Sequence, residues 1–125
     1  MAKLLLVDDS RAVTDALSRV LETYGHEVDV ASSGEAALAS LERALPDLVV
    51  LDLMLPGIGG AEVLHVIRGA GRTRTLPVVI LSSGMDPPTC AALLAAGAQA
   101  CLRKVSRDPD ELPATIARLL AAGPP

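Results

Sequence analysis

The stretch VVLDLMLPGIGG, Val49 to Gly60, begins apolar enough to be a strand covered on both faces, yet runs into a carboxylate, Asp52. An unpaired carboxylate taken out of water is costly, so such a residue is paired, metal-bound or held at a strand mouth. Outward from this stretch, five short runs share its character: KLLLV (3–7), EVDVA (27–31), DLVVL (47–51), PVVIL (77–81) and QACLR (99–103). The central runs are continuously apolar, whereas 27–31 alternates, which suits an edge strand.

Segments of helical period separate the runs. In the first, Val13, Ala16, Leu17, Val20, Leu21 and Tyr24 fall on one face. Ser33 is placed to N-cap a second helix in which Leu38, Leu41 and Leu45 point inward and which Pro46 ends. Val63, Leu64 and Ile67 mark a third, PTCAALLAA a fourth with almost no polar face, and Leu112, Ile116, Leu119 and Leu120 a fifth. Pro113 means that the fifth helix either starts near Leu112 or is kinked. Strict alternation of strand and helix predicts a doubly wound, five-stranded parallel sheet with helices on both faces.

The 125 residues suffice for one domain with a sizeable core. Tyr24 is the only aromatic residue, so that core has to come from Leu, Val, Ile and Ala. A net charge of −4 without any basic block argues against a grip on nucleic acid. Cys90 and Cys101 fit neither a metal-ligand spacing nor a disulfide framework and read as two small buried hydrophobes. No apolar run is long enough to span a membrane, and Met1-Ala2-Lys3 leads into LLLV without a cleavable leader, so a cytoplasmic protein is expected. His26 and His65 read as surface residues.

In open parallel sheets, ligands sit beyond the carboxyl ends of the strands. Those ends deliver Asp8 and Asp9, Asp52, Ser82 and Ser83, and Lys104, with Ser32, Ser33 and Gly34 after the second run. Two carboxylates about 4 Å apart repel by roughly 4 kcal/mol at an effective dielectric of about 20, so three sharing a pocket call for a cation. Oxygen donors without His or Cys suit Mg²⁺. A metal so held can bridge to a phosphoryl oxygen, Lys104 can pair with a second, and the Ser82 hydroxyl can reach a third. A carboxylate in such company can act as nucleophile and form an aspartyl phosphate. Each residue also has a plain reading: Asp8 as a helix N-cap, Lys104 as a surface charge, Ser82 as a turn residue.

LLVDDSR (5–11), PDLVVLDLMLPGIGG (46–60), LPVVILSSG (76–84) and the lysine of ACLRKV (100–105) resemble, in order and over essentially the whole chain, the receiver domain of two-component response regulators. The resemblance implies the flavodoxin-like strand order 2-1-3-4-5, a receiver domain over 1–122, and a tail or linker start at 123–125. It makes Asp52 the phospho-acceptor. Asp9 would ligate Mg²⁺ directly, Asp8 through water, and the Met54 backbone carbonyl would complete the protein ligands. Ser82 becomes the switch hydroxyl, Lys104 the phosphate partner, with Ser83 beside them, and Pro56-Gly57 turns the loop after the acceptor. Two positions depart from the family pattern. Cys101 stands where an aromatic ring is common, and Val105 where proline is common, so a trans Lys104–Val105 bond is expected.

The implied function is a phosphorylation-controlled switch and not an enzyme acting on other substrates. A histidine kinase or phosphotransfer protein would be the donor. A downstream protein, or a second copy of the chain, would meet the surface of the fourth helix, fifth strand and fifth helix. The alternative is a phosphorylation-independent binding module, motivated by Cys101 and Val105. A phosphohydrolase of the haloacid-dehalogenase type needs a second Asp two residues beyond the nucleophile, where this chain has Met54 or Ser10. With Met1 so close to the first strand, the receiver is expected to lead its chain, either free-standing or as the front of a longer protein.

Overall fold

Residues 2–84, 86–104 and 108–122 are described in a computed structural model of the chain. Five strands, β1 (Lys3–Val7), β2 (Glu27–Ala31), β3 (Leu48–Asp52), β4 (Val78–Ser82) and β5 (Ala100–Arg103), alternate with five helices. The helices are α1 (Arg11–Thr23), α2 (Gly34–Arg43), α3 (Gly60–Gly69), α4 (Pro87–Ala95) and α5 (Glu111–Ala122). All strand pairs are parallel and the order is β2-β1-β3-β4-β5, as the resemblance implies.

Alternate side chains of each strand feed two cores. Leu5, Val7, Val49, Leu51, Val78 and Ile80 meet α2, α3 and α4 through Ala37, Leu41, Val63, Leu64, Ile67 and Leu93. On the other face Leu4, Leu6, Leu48, Val50, Val79 and Leu81 meet Leu21 of α1 and Ile116 of α5. β3 and β4 are buried at every position, whereas the edge strand β2 is largely exposed, with Val30 at 50%. No helix among the described residues is long and apolar enough to cross a membrane.

Several local expectations need correction. β3 and β4 each run one residue further than their apolar runs, so Asp52 and Ser82 are the last residues of strands. Ser33 does cap α2, accepting from Ala36 N at 3.0 Å, but the helix ends at Arg43 and Leu45 is 42% exposed. Pro46 disfavours helical backbone at the residue before it, so the pattern stops short of its last leucine. On α1 only Leu21 of the expected face is fully covered; Ala16, Val20 and Tyr24 are exposed. A helix packed beside the outer strand has too narrow a buried stripe for all six. Tyr24 instead donates its hydroxyl to Asp110, 2.7 Å away.

α5 starts at Glu111, which leaves Pro113 in its first turn, where backbone N–H groups have no intrahelical acceptor and the missing one does no harm. His26 is half-buried, its Nδ1 atom shielded and without a hydrogen-bond partner among the described residues, whereas His65 is exposed. The cysteines are half-buried rather than buried. Val105 and its peptide bond, and residues 123–125, lie outside the described residues.

Candidate functional site

β1, β3 and β4 are adjacent in the sheet, so their carboxyl ends bring Asp8, Asp9, Asp52 and Ser82 to one rim. β5 adds Lys104, whose backbone N–H donates to the Ser82 carbonyl at 3.0 Å. Asp8, Asp52 and Ser82 are only 2–3% exposed; Asp9, Met54 and Ser83 are open to solvent. Lys104 Nζ lies 2.7 Å from Asp8 Oδ2 and 3.1 Å from Asp52 Oδ2, bridging the two buried carboxylates.

The plain reading of Asp8 as a helix cap fails. Ser10 caps α1, accepting from Val13 N, while Asp8 Oδ1 accepts from Ser10 N at 2.9 Å. Lys104 is likewise no surface charge, its side chain being 17% exposed.

Burial pushes the Asp52 carboxyl above its ordinary pKa; the Lys104 hydrogen bond opposes this, the nearby Asp8 charge adds to it, and the Met54 N–H at 3.3 Å counters it again. For Lys104 burial works against the charged ammonium, but Asp8 and Asp52 outweigh it and hold the pKa above the usual lysine value. The Lys104–Asp52 contact therefore favours the charged form of both partners, and the Lys104–Asp8 contact adds to the lysine's charged form.

One carboxylate oxygen from each of Asp8, Asp9 and Asp52 lies within 4.8 Å of the others. Three carboxylates against one ammonium leave two uncompensated negative charges, which a divalent cation balances. The all-oxygen donor set fits a hard cation such as Mg²⁺. A depression of about 280 Å³ lies beside Asp8 and Asp9, lined also by Arg11, Thr14, Asp15, Val30 and Ser32.

The loop after Asp52 depends on two glycines. Gly57 turns it with φ +74°, in keeping with the expected Pro56-Gly57 turn. Gly60 was not picked out from the sequence, although a Cβ there would strike the Asp52 carbonyl oxygen and come within 2.8 Å of Leu53 Cα. Nothing in the local pattern around Gly60 signals that approach, because it arises from α3 folding back on the end of β3. Arg68 was missed as well. Its guanidinium donates to the Gly97 carbonyl at 2.8 and 3.0 Å, to the Thr73 and Arg74 carbonyls, and to Gln99 Oε1, bracing α3 against the approach to β5.

A two-faced parallel sheet with two buried carboxylates bridged by a lysine at its carboxyl rim defines an α/β domain with an acidic site at the strand ends. The family model of the response regulator receiver domain matches residues 4–117, and the chain belongs to that family. It is 44% identical over 98 residues to the transcriptional regulatory protein AfsQ1 of Streptomyces coelicolor, a match covering 78% of this chain and 42% of that protein. To the phosphate regulon regulator PhoB of Rhizobium meliloti it is 34% identical over 124 residues, 99% of this chain and 55% of that one. The chain thus spans about half the length of the curated relatives it matches.

Among solved structures, the Vibrio cholerae chemotaxis protein CheY4 superposes with a TM-score of 0.87 at 31% identity, covering 94% of this chain and 98% of that one. The BeF3-activated N-terminal receiver domain of Klebsiella pneumoniae RstA gives a TM-score of 0.85 at 30% identity, covering 94% and 97%.

Proposed function

We propose that this domain is a phosphorylation-controlled switch in which Asp52 accepts a phosphoryl group from the phosphohistidine of a histidine kinase or phosphotransfer protein. One observation carries the reading: a buried strand-end carboxylate held 3.1 Å from an ammonium, with two further carboxylates in reach of a shared cation. An Asp52 oxygen attacks phosphorus, the P–N bond breaks, and its electron pair stays on the donor imidazole. Lys104 turns from the carboxylate to a phosphoryl oxygen and keeps its pairing with Asp8. Asp9, Asp52, the Met54 carbonyl and, through water, Asp8 would hold Mg²⁺, which would offset the carboxylate charge and supply a Lewis acid for phosphoryl transfer. Ser82, at the end of the neighbouring strand, supplies the hydroxyl that follows the new charge, with Ser83 beside it.

That motion biases the surface of α4, β5 and α5, the face offered to a downstream protein or a second copy of the chain. Cys101 has no ring to swing, so coupling runs through the loops after β3 and β4 themselves. The domain catalyses only its own gain and loss of phosphate, and its partners place it in the cytoplasm. A phosphorylation-independent binding role would not call for three carboxylates gathered at one rim. The test is an amide NMR titration with beryllofluoride and Mg²⁺, which should move signals around Asp52, Ser82 and α4 in the wild type and leave Asp52→Asn unchanged. A silent wild-type spectrum would sink the proposal.

A further inference from the structure

The chain's only two cysteines are brought together by the fold, Cys90 on α4 and Cys101 on the neighbouring edge strand β5. Cys101 Sγ donates to the Cys90 carbonyl oxygen at 3.8 Å, which places the Cys101 thiol against the Cys90 backbone. Both are free and half-buried. Their surroundings are apolar: Cys101 packs against the core beneath α4, and no charged residue occurs from Pro87 to Ala98. Leu93 is the single buried residue of this nine-residue helix, so few contacts fix α4 on the sheet.

We propose that Cys90 and Cys101 are a redox-sensitive pair that a low-molecular-weight disulfide converts to a reversible intrachain disulfide, tying α4 to β5. The Cys90 thiolate attacks one sulfur of oxidised glutathione, breaking its S–S bond and releasing one glutathione thiolate. Cys101 then gives up its proton to solvent and attacks the Cys90 sulfur of the mixed disulfide, expelling the second glutathione thiolate. Two protein thiols and one oxidised glutathione become one protein disulfide and two glutathione molecules. Cys90 attacks first because Cys101 lies against the core with its S–H directed at the Cys90 peptide. The reaction is independent of any phosphoryl chemistry at Asp52.

The experiment treats the whole chain with oxidised glutathione at about pH 8, where a free thiol is partly ionised. It reads intact mass, alkylation and deuterium exchange. The expected product is a monomer lighter by two hydrogens, closed to alkylation, yielding a linked Cys90–Cys101 peptide and reversed by dithiothreitol. In that product the amides of α4 exchange several-fold more slowly. Cys101→Ser should stall as the glutathione adduct of Cys90. A glutathione adduct that persists on the wild type, a covalent dimer, or two thiols that remain alkylatable would each overturn the proposal.

Discussion

Lys104 reaches two carboxylates that are almost wholly out of solvent, at 2.7 and 3.1 Å. Removing it leaves Asp8 and Asp52 facing each other uncompensated. Lys104→Ala should therefore destabilise the metal-free protein by about 2–4 kcal/mol, toward the lower end of buried-pair losses because the lysine is partly exposed. Adding Asp8→Asn should recover part of that in urea melts, since the two positions share one interaction. Cys101 gives a pH signature. Burial, with Cys90 adding to it, pushes its thiol from 9.0 up to about 12. Unfolded chains ionise this thiol first, so its stabilising effect is intact below about pH 9 and declines as pH rises toward about 12. Urea midpoints should fall with pH in that window less steeply for Cys101→Ser than for the wild type.

At the scale of elements, strand and helix periods were legible because each element buries one stripe or two faces of its own residues. Ser33 as a cap and Val63, Leu64 and Ile67 as a buried stripe needed only local pattern. What pattern cannot supply is approach between elements. Leu45 looks like the next inward leucine of α2, yet Pro46 stops the helix first; Val20 and Tyr24 are in phase with Leu21 but lie beyond what the sheet covers. Gly60 belongs to the same class. Gly60→Ala would press a methyl onto the backbone of Asp52 and Leu53, so it should cost about 1–3 kcal/mol in a denaturant melt and disturb the loop after Asp52.

Across the whole molecule, the candidate site was readable because its residues all stand at the same ends of parallel strands, a place that strand order alone assigns. The Cys90–Cys101 contact and the Arg68 brace were not readable, since they join α4 to β5 and α3 to the approach to β5 through packing that no spacing encodes. The two uncompensated charges at the rim lead to a global consequence. Mg²⁺ at a hundred times its Kd should stabilise the domain by about 2.7 kcal/mol, if it binds only the folded chain. Asp9→Asn should remove most of that gain while leaving the metal-free fold intact, because Asp9 is exposed. Thermal melts with Mg²⁺ and with EDTA check this.

The most direct test of the central claim is intact-mass spectrometry after incubation with acetyl phosphate and Mg²⁺. One added phosphoryl group, absent from Asp52→Asn and from the EDTA control, is the result predicted. An adduct that survives the Asp52→Asn substitution, or forms equally well in EDTA, would contradict the assignment of Asp52 and its cation as the site of phosphoryl transfer.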